Sequence, residues 1–349
     1  MSSRFTLTMF LLLVLVLLPG CGGDDNPVAP EPPRLDMQYD QVTWLTSHNA
    51  FAYFDWDDVA PDHGLCVNQQ TSIAQQLQNG VRAFQLDIHF WNNNDPSSEP
   101  VVYLCHGTRE LPIPMCAQLR FTPLQEELQV IGAFLAANPY EVVTLMMEDY
   151  VHDEPVLLAT FEAVLMPGSG RDLSDLIYNP SGQEWNVDDQ GRWPTLQWMV
   201  DQDLRLVVFS DPGYERIAAG GRYFRGNSYA SIGPDEPDCL LGADLADYEG
   251  KMFLMYHLSG PRLMNGWECP ELSTEHTPDR INTAASIIAR WESSCAPELG
   301  RPPGFLAVDF ADGCPNGRDL CDPAAIMYSG PLDAVKHFNQ EVWPAIRSR

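Results

Sequence analysis

The chain has 349 residues, of which 45% are hydrophobic and 10% aromatic, so it can bury a sizeable core and is not wholly disordered. Its 48 Asp and Glu outnumber 20 Lys and Arg, and the formal net charge of −28 at pH 7 excludes nucleic-acid binding and attachment to a membrane surface through a polybasic patch. Nine Cys and 29 Pro favour an oxidising compartment over the cytosol.

The N-terminus has the pattern of a secretory signal peptide. An apolar run from residue 5 to 18 follows Arg4 and is shorter than the ~20 residues needed to span a bilayer. It ends in Leu-Leu-Pro-Gly-Cys at Cys21, which resembles the lipobox of bacterial lipoproteins, where cleavage leaves a lipid-modified Cys as the new N-terminus. Lipidation of Cys21 leaves eight Cys, an even number for pairing, so we expect a lipid anchor. The alternative is an ordinary signal with Cys21 in a disulfide.

The segment after Cys21 is too polar and too rich in Pro and Gly to pack, and is typical of a tether. The sequence therefore predicts a signal peptide at 1–20, a tether at 21–34 and one folded domain at 35–349. We expect an extracytoplasmic protein that is anchored in the cell envelope or secreted. Gly22 after Cys21 favours sorting to an outer membrane where the cell has one.

From residue 41 onward the hydrophobic pattern predicts strands and helices in alternation. Asn79-Gly80 and Asn138-Pro139 are typical helix stops, and Thr122 before Pro123 is typical of a capping box with Pro at the first helical position. The predicted helices are Thr71–Gln78, a helix from Leu124 to Asn138, and Ile281–Trp291. The predicted strands are Gln41–Ser47, Val81–Phe90, Val101–Cys105, Glu141–Met147, Leu204–Phe209, Met252–Tyr256 and Phe305–Phe310.

Such alternation predicts a mostly parallel α/β sheet, either open and doubly wound or closed into a barrel. Seven or eight strands over about 315 residues favour a single-domain, irregular TIM (β/α)₈ barrel. Polar residues follow or end the predicted strands, and in a barrel these ends share one rim, where active sites of this fold lie. They are His48, Asp87, His106, Glu148, Asp211 and Asp309.

Two histidines and several carboxylates at strand ends are the residue types that general acid and base catalysis requires. One imidazole removes a proton from a nucleophile, a second protonates a leaving group, and carboxylates fix the tautomers. The sequence has no HExxH, no paired CxxC, no GxSxG and no glycine-rich phosphate loop. A metalloprotease, a serine hydrolase and a nucleotide-binding protein are therefore disfavoured.

Short motifs along the chain carry a resemblance to a known family. They are Thr46 to Ala52, Asn68-Gln69, Gln76 to Arg82, Leu86-Asp87, Leu104 to His106, Asn138 to Val143, Glu148 to Tyr150, Trp193 to Leu196, Arg205 to Phe209 and Phe305 to Phe310. Together they resemble the catalytic X region of phosphatidylinositol-specific phospholipase C, and most closely its secreted or anchored phospholipase C-like relatives. The resemblance extends from Thr43 to Phe310 and implies an irregular TIM barrel.

The resemblance also implies roles for individual residues. His48 matches the general base that deprotonates the attacking hydroxyl, and His106 matches the general acid that protonates the leaving alkoxide. Asp87 matches an acidic residue that contacts the nucleophile or a metal. Asp309 would orient His48 through the second nitrogen of its ring.

The sequence departs from the family where negative charge on the phosphate must be neutralised. Calcium-independent members have an Arg at the position of His89, whereas calcium-dependent members use four oxygen ligands that correspond here to Asn49, Gln85, Asp87 and Glu148. Because a Gln carbonyl still binds a hard cation, we expect Ca²⁺ or Mg²⁺. The alternative is a metal-free site in which protonated His89 replaces the Arg. If the two residues have only structural roles, Glu148 caps a strand end with a salt bridge and His89 is a stacked rim residue beside Trp91.

Cysteine spacing suggests two disulfides near the site. Cys314 and Cys321 bracket a turn-rich stretch that a disulfide could close. A disulfide between Cys105 and Cys116 would constrain the loop that carries His106. The other four Cys of the domain would supply two more bridges of open connectivity. Trp91, Trp56 and Tyr150 are candidates to line a substrate pocket or to cap the core.

The sequence thus predicts a phosphoric diester hydrolase that cleaves a phosphoinositol or related head-group diester by two-histidine catalysis. The expected partners are a phosphodiester lipid or its head group, and a membrane through the N-terminal anchor. One alternative is a metal-dependent hydrolase that resembles glycerophosphodiester phosphodiesterases. The other is a non-catalytic surface binding lipoprotein.

Overall fold

The folded chain is built around a ten-stranded sheet. The computed structural model describes residues 34–53, 68–69, 71–92, 97–105, 122–182, 184–211, 213–227, 245–258, 262–263, 267–268, 282–311 and 330–348. The strands are β1 (Trp44–Ser47), β2 (Ala83–Trp91), β3 (Val101–Leu104), β4 (Val143–Asp149), β5 (Ile177–Tyr178), β6 (Leu206–Ser210), β7 (Ala218–Ala219), β8 (Phe224–Gly226), β9 (Met252–His257), β10 (Arg262–Leu263), β11 (Trp267–Glu268) and β12 (Phe305–Val308). β10 and β11 form a separate antiparallel pair.

Helices connect these strands and cover the outside of the sheet. The α-helices are Ile73–Gln78, Leu124–Ala137, Glu154–Glu162, Val187–Gln190, Leu196–Asp201, Gly220–Tyr223, Ala284–Arg290, Ala296–Leu299, Gly330–His337 and Trp343–Arg347. Turns of 3₁₀-helix lie at Tyr39–Gln41, Leu173–Leu176 and Leu245–Tyr248, and π-helical turns at Trp291–Cys295 and Phe338–Val342. No helix in the described part of the chain has the length and apolar character to cross a membrane.

The predicted capping box at Thr122 is wrong. The helix begins at Leu124 with Pro123 as its N-cap, and no side chain caps it. The Thr122 hydroxyl instead donates to Glu127 Oε1 at 3.4 Å. Because Pro carries no side-chain acceptor, the first turn of this helix starts without the bond that the Thr was expected to supply.

Strand pairing confirms the predicted parallel α/β sheet. The order across the sheet is β5-β6-β4-β2-β1-β12-β9-β8, and neighbours along this path are parallel. β3 pairs antiparallel with β2, and β7 extends the sheet beside β6. Because the path is parallel, the carboxyl ends of its strands lie at one edge.

Contacts across the sheet show that it curls into a barrel. Phe209 on β6 and Phe305 on β12 have ring centroids 6.4 Å apart, although three strands separate them in the sheet. In a flat sheet these four strand steps would span ~19 Å. Gln85 on β2 likewise bonds to Tyr256 on β9 at 3.0 Å across two intervening strands. The predicted irregular TIM barrel is confirmed. Within the described residues, no strand pairing joins β7 to β8.

Side chains alternate between the two faces of the curled sheet. Trp44, Val207, Phe209, Leu254 and Phe305 pack in the cluster that fills the barrel interior. The alternate residues of these and the adjoining strands pack in the cluster between the sheet and the helices; among them are Leu45, Phe84, Leu145, Val208 and Leu306. This period of two is the pattern expected of strands buried on both faces.

The segment before β1 closes the amino-terminal end of the barrel. Tyr39 is fully buried, and its hydroxyl lies 2.7 Å from Thr144 Oγ1 near the start of β4. The Leu196 N–H donates to Met37 O at 2.9 Å, which fixes the segment against a surface helix. The opposite, carboxyl-terminal end of the strands is therefore the mouth at which a site can form.

A partly desolvated ion pair holds the start of β2. The Arg82 guanidinium bonds Glu141 at 2.8 and 3.0 Å and also donates to the carbonyls of Leu77 and Val81. The side chains of Arg82 and Glu141 are only 10% and 12% exposed. We expect Glu141→Ala to lower the free energy of unfolding by about 3 kcal/mol, because it leaves a buried cation unpaired.

Urea denaturation of the Glu141→Ala protein measures this cost. The matched control is Asp175→Ala, which removes one of the two carboxylate partners of Arg171, in a pair that is 41% and 47% exposed. The control is expected to cost less than about 1 kcal/mol. Equal, small effects of both substitutions would contradict the structural importance of the Arg82 pair.

Candidate active site

Strand register brings the predicted site residues to the mouth of the barrel. Ser47 of β1 pairs with Val308 of β12, so His48 and Asp309, the next residues of each strand, are neighbours. On the adjacent strands, Asp87 of β2 is level with Glu148 of β4. The structure thus places at one mouth side chains from parts of the chain more than 250 residues apart.

His48 and Asp309 form a hydrogen-bonded pair. His48 Nδ1 lies 2.9 Å from Asp309 Oδ1, and the two side chains are 8% and 0% exposed. A carboxylate oxygen that accepts this bond assigns the ring proton of a neutral imidazole to Nδ1, which makes Nε2 the basic nitrogen. This is the arrangement of an imidazole that is oriented to take a proton through Nε2.

Three buried amides support this pair. Asn68 Nδ2 donates to Asp309 Oδ1 at 2.8 Å, and Asn282 Nδ2 donates to the Asp309 carbonyl at 2.6 Å. Gln69 Nε2 donates to the His48 carbonyl at 2.6 Å. Neutral hydrogen-bond donors therefore fix the side chain and backbone of Asp309 and the backbone of His48.

The backbone is strained directly beyond His48 and Asp309. Asn49 has φ 44° and Phe310 has φ 52°, in the left-handed region that Asn tolerates and bulky residues avoid. The Phe310 N–H donates to Asn68 O at 2.8 Å, and the Ala311 N–H donates to Gln69 Oε1 at 3.0 Å. The Asn68-Gln69 pair thus holds a costly conformation next to the site, as is common where function requires it.

Gln85 and Asp87 project from β2 into the mouth. Gln85 Nε2 donates to the Tyr256 hydroxyl at 3.0 Å, while its Oε1 is buried and has no hydrogen-bond partner among the described residues. Burial raises the pKa of Asp87 well above its ordinary value, and the negative charge of Glu148 raises it further. A bound cation would oppose both effects, because it favours ionised carboxylates.

His89 lies two residues further along the same face of β2. Its ring stacks on Tyr150 with centroids 4.4 Å apart and an interplanar angle of 8°, and Trp91 instead packs edge-on against Tyr103. His89 is thus stacked, as expected of a structural role, but its partner is Tyr150 and not Trp91. Burial lowers the pKa of His89 to about 4, so the ring is neutral at pH 7 and supplies no positive charge in place of an Arg.

The four predicted cation ligands lie on neighbouring elements at the mouth, on the turn after β1 and on β2 and β4. The turn that carries Asn49 is held against β2 by the Ala50 N–H, which donates to Gln85 O at 3.0 Å. Glu148 is exposed and accepts a hydrogen bond from Tyr150 at 3.2 Å, and within the described residues it has no ion pair. No group of three or more His, Cys, Asp or Glu suited to a metal occurs in the described ranges.

Several predicted residues lie outside the described residues. They are His106, Cys21, Cys116, Cys314, Cys321 and Trp56. Cys105, which precedes His106, is disulfide-bonded, as is Cys295. The Cys105 N–H donates to Asp87 O at 3.2 Å, so the chain leaves β3 beside the site. The role of His106 and the two disulfide pairings stay predictions.

Sequence reasoning missed the contribution of Tyr256, whose ring packs edge-on to His48 with centroids 6.4 Å apart. A Tyr within an apolar strand pattern gives no signal of a role at the rim. Asn68 belonged to a recognised motif, but nothing in the sequence indicated that it contacts Asp309. Asp211 is exposed after β6, and no site contact of its side chain is seen in the described part of the chain.

The raised pKa of Asp87 has a consequence for stability. The folded protein binds the proton of this carboxyl more tightly than the unfolded chain does. The folded state therefore loses stability as the pH rises from the ordinary pKa of Asp to the raised pKa of Asp87. In EDTA, we therefore expect Asp87→Asn to raise the urea midpoint at pH 7. Near pH 3, where both states hold the proton, the gain should disappear.

The matched control is Asp211→Asn, which removes an exposed carboxylate at the same rim. It is expected to leave the midpoint unchanged at both pH values. A loss of stability in Asp87→Asn at pH 7 would show that the carboxylate is stabilising and would contradict a raised pKa.

Comparison with known proteins identifies the family. The PI-PLC X 1 family model matches residues 35–316, which is most of the chain, and the chain belongs to the PI-PLC X family. A PI-PLC X domain-containing protein of Arabidopsis thaliana is 30% identical over 284 residues, 78% of this chain and 59% of that protein. An uncharacterized secreted protein of Arthroderma benhamiae is 25% identical over 289 residues, 78% of this chain and 57% of that protein. The chain thus spans less than two thirds of either relative.

Solved structures agree with this assignment at the level of the fold. A double mutant of the phosphatidylinositol-specific phospholipase C from S. aureus aligns over 87% of this chain and 93% of its own, with a TM-score of 0.52 and 14% identity. A second structure, from a study of membrane binding by the same S. aureus enzyme, covers 88% and 98% with a TM-score of 0.51 and 15% identity. The protein therefore has a phospholipase C-like phosphodiesterase fold.

Proposed function

We propose that the protein is a phosphoric diester hydrolase that cleaves a phosphoinositol or related head-group diester. The observation that carries the proposal is the buried His48–Asp309 pair at the mouth of a phospholipase C-like barrel. A phosphodiester needs one proton removed from the nucleophile, one supplied to the leaving group, and its developing negative charge neutralised. The His48–Asp309 pair supports the first of these.

The proposed reaction begins at Nε2 of His48. This nitrogen takes the proton of the attacking hydroxyl, which in a phosphoinositide is the inositol 2-hydroxyl. The oxygen forms a bond to phosphorus, the bond from phosphorus to the leaving alkoxide breaks, and the products are a cyclic phosphodiester and an alcohol. We propose that His106 protonates the leaving alkoxide and that water opens the cyclic ester more slowly. Asp309 holds the proton on Nδ1 and stabilises the imidazolium that forms.

We propose Ca²⁺ or Mg²⁺ as the cofactor, held by Asn49, Gln85, Asp87 and Glu148. The unpartnered Gln85 Oε1 and the repulsion between Asp87 and Glu148 support this assignment. Oxygen ligands suit both ions. When bound, the cation would neutralise negative charge on the phosphoryl group, which the neutral ring of His89 does not do.

We propose an extracytoplasmic location with a lipid anchor at Cys21. Arg34, the first described residue, lines a cavity with Met37 and Trp44 at the closed amino-terminal end of the barrel. The mouth faces the opposite way. Together with the net charge of −28, this disfavours action on the anionic surface of the membrane that holds the protein. A soluble head-group diester, or lipid presented by another membrane, fits this arrangement better.

A substrate panel tests the proposal. The protein from residue 35 onward is incubated with phosphatidylinositol vesicles, with glycerophosphoinositol and with glycerophosphocholine, and water-soluble phosphates are separated by chromatography. We expect turnover of an inositol diester. Turnover of glycerophosphocholine alone would favour the glycerophosphodiesterase alternative. Binding of a diester without turnover would favour the non-catalytic alternative.

A further inference from the structure

The His48–Asp309 pair and the candidate ligand Asn49 are joined through one buried side chain, that of Asn68. This side chain has no solvent exposure. Its Nδ2 donates to Asp309 Oδ1 at 2.8 Å, the same oxygen that His48 Nδ1 contacts at 2.9 Å. On its other side, Asn68 Oδ1 accepts from Asn49 Nδ2 at 3.4 Å.

These contacts fix the orientation of the Asn68 amide. In the reverse orientation, Oδ1 would lie 2.8 Å from a carboxylate oxygen and the NH₂ group would face another NH₂ group, so both contacts would be repulsive. The same amide orients Asn49, because donation by Asn49 Nδ2 turns its Oδ1 away from Asn68. An Asn therefore satisfies two neighbours that no carboxylate or apolar side chain could satisfy together.

The backbone of Asn68 joins the same two loops. Its N–H donates to Ala52 O at 2.9 Å in the loop after β1, and its carbonyl accepts from the strained Phe310 N–H at 2.8 Å in the loop after β12. The residue thus fixes both the side chains and the backbone on which His48 and Asp309 depend. The two backbone bonds are open to any residue, whereas a side chain that only filled space would not require the two directed bonds of the amide.

We propose that Asn68 is a positioning residue that holds the His48–Asp309 pair and Asn49 in one hydrogen-bonded unit. The inference rests on the proposed function, since it assigns a role in that reaction. Asn68 acts through Asp309 and does not contact the reacting atoms. Its loss should therefore lower kcat and leave KM nearly unchanged.

Substitutions of equal shape separate this role from packing. Asn68→Ala is expected to lower kcat by about 10- to 100-fold, the size expected for a hydrogen bond to a charged group. Asn68→Asp keeps the shape but places a second carboxylate against Asp309, and is expected to be at least as harmful. The double variant N68D/D309N exchanges amide and carboxylate, and Nδ2 of residue 68 already lies 3.4 Å from His48 Nδ1. We expect this exchange to be more active than Asp309→Asn alone.

A readout independent of turnover is the proton resonance of the His48 Nδ1–H, which a bond to a carboxylate shifts far downfield. It is assigned by its absence in His48→Gln. We expect Asn68→Ala to move or broaden it. The matched control is Asn339→Ala. The Asn339 side chain also makes two hydrogen bonds, to the backbone N–H and carbonyl of Thr43, but it lies at the opposite end of the barrel. The control should leave both kcat and the resonance unchanged.

Wild-type kcat and an unchanged resonance in Asn68→Ala would overturn the proposal. So would an N68D/D309N protein that is no more active than Asp309→Asn. If the wild-type protein turns over no diester, the proposed function fails, and the resonance alone then decides whether Asn68 positions the pair. Circular dichroism and urea midpoints confirm that each variant is folded, and the shape-conserving Asn68→Asp serves where Asn68→Ala does not fold.

Discussion

Replacing His48 by alanine is expected to lower the turnover of an inositol phosphodiester by about 10²- to 10⁴-fold, the usual contribution of a positioned general base. The reason is structural as well as chemical. His48 is the imidazole that the structure shows bonded to a fully buried carboxylate at the mouth, and Asp309 both fixes its tautomer and stabilises its protonated form. KM should change little, because the proton transfer occurs in the transition state.

The matched control for this substitution is His337→Ala. His337 also lies beside a carboxylate, with Nδ1 3.3 Å from Glu341, but this pair is on a helix near the C-terminus and the glutamate side chain is 70% exposed. Turnover by the control should equal that of the wild-type protein. A His48→Ala protein that retains more than about a tenth of wild-type kcat would contradict the role of general base.

Removing divalent cations with EDTA is expected to lower turnover strongly, and added Ca²⁺ or Mg²⁺ should restore it. Asp87→Asn should mimic the effect in the presence of metal and lower turnover by about 10²- to 10³-fold, the scale of a lost electrostatic contact to the transition state. Asp87 is central because it is buried beside Glu148 in a mouth whose His89 is neutral. The two carboxylates would thus be the charged ligands of the cation.

Calorimetric titration with Ca²⁺ provides a readout besides activity. We expect Asp87→Asn to weaken binding, and Asp211→Asn, at an exposed position after β6, to leave it unchanged. Full activity in EDTA together with no heat of Ca²⁺ binding would exclude a cation from the catalytic site. A positively charged group other than the neutral His89 would then have to neutralise the phosphoryl charge.

Burial of Asp87 also suggests a balance between activity and stability. Asp87→Asn, which is expected to weaken cation binding, is also expected to stabilise the protein in EDTA, because it removes a carboxyl whose pKa is raised by burial. If Asp87→Asn lowers turnover and raises the urea midpoint at pH 7, the carboxylate serves function at the expense of stability.

The sequence was sufficient to predict the barrel because its long strands carry strong apolar runs. β2, β4, β6, β9 and β12 were each expected within a few residues of where they lie. β5, β7 and β8 were not expected, because strands of two or three residues give no periodicity. Their positions depend on tertiary pairing with β6 and β9.

The site was predictable in its residues and less so in its contacts. His48 and Asp309 were expected to meet because each follows a strand of one parallel sheet, and the structure brings them together. The stacking of His89 on Tyr150 was not foreseen. His89 lies near the end of β2 and Tyr150 follows the end of β4, and the sequence does not define the direction of side chains there. The positions of Asn68 and Tyr256 depend likewise on how loops and distant strands pack.

The most direct test of the proposed reaction is a ³¹P NMR time course with the protein from residue 35 onward and phosphatidylinositol in the presence of Ca²⁺. Attack by the inositol 2-hydroxyl predicts the resonance of a cyclic inositol phosphodiester, which forms first, decays slowly to the monoester, and is absent with His48→Ala. Formation of the monoester with no cyclic intermediate at any time, or an unchanged spectrum with the wild-type protein, would contradict this mechanism.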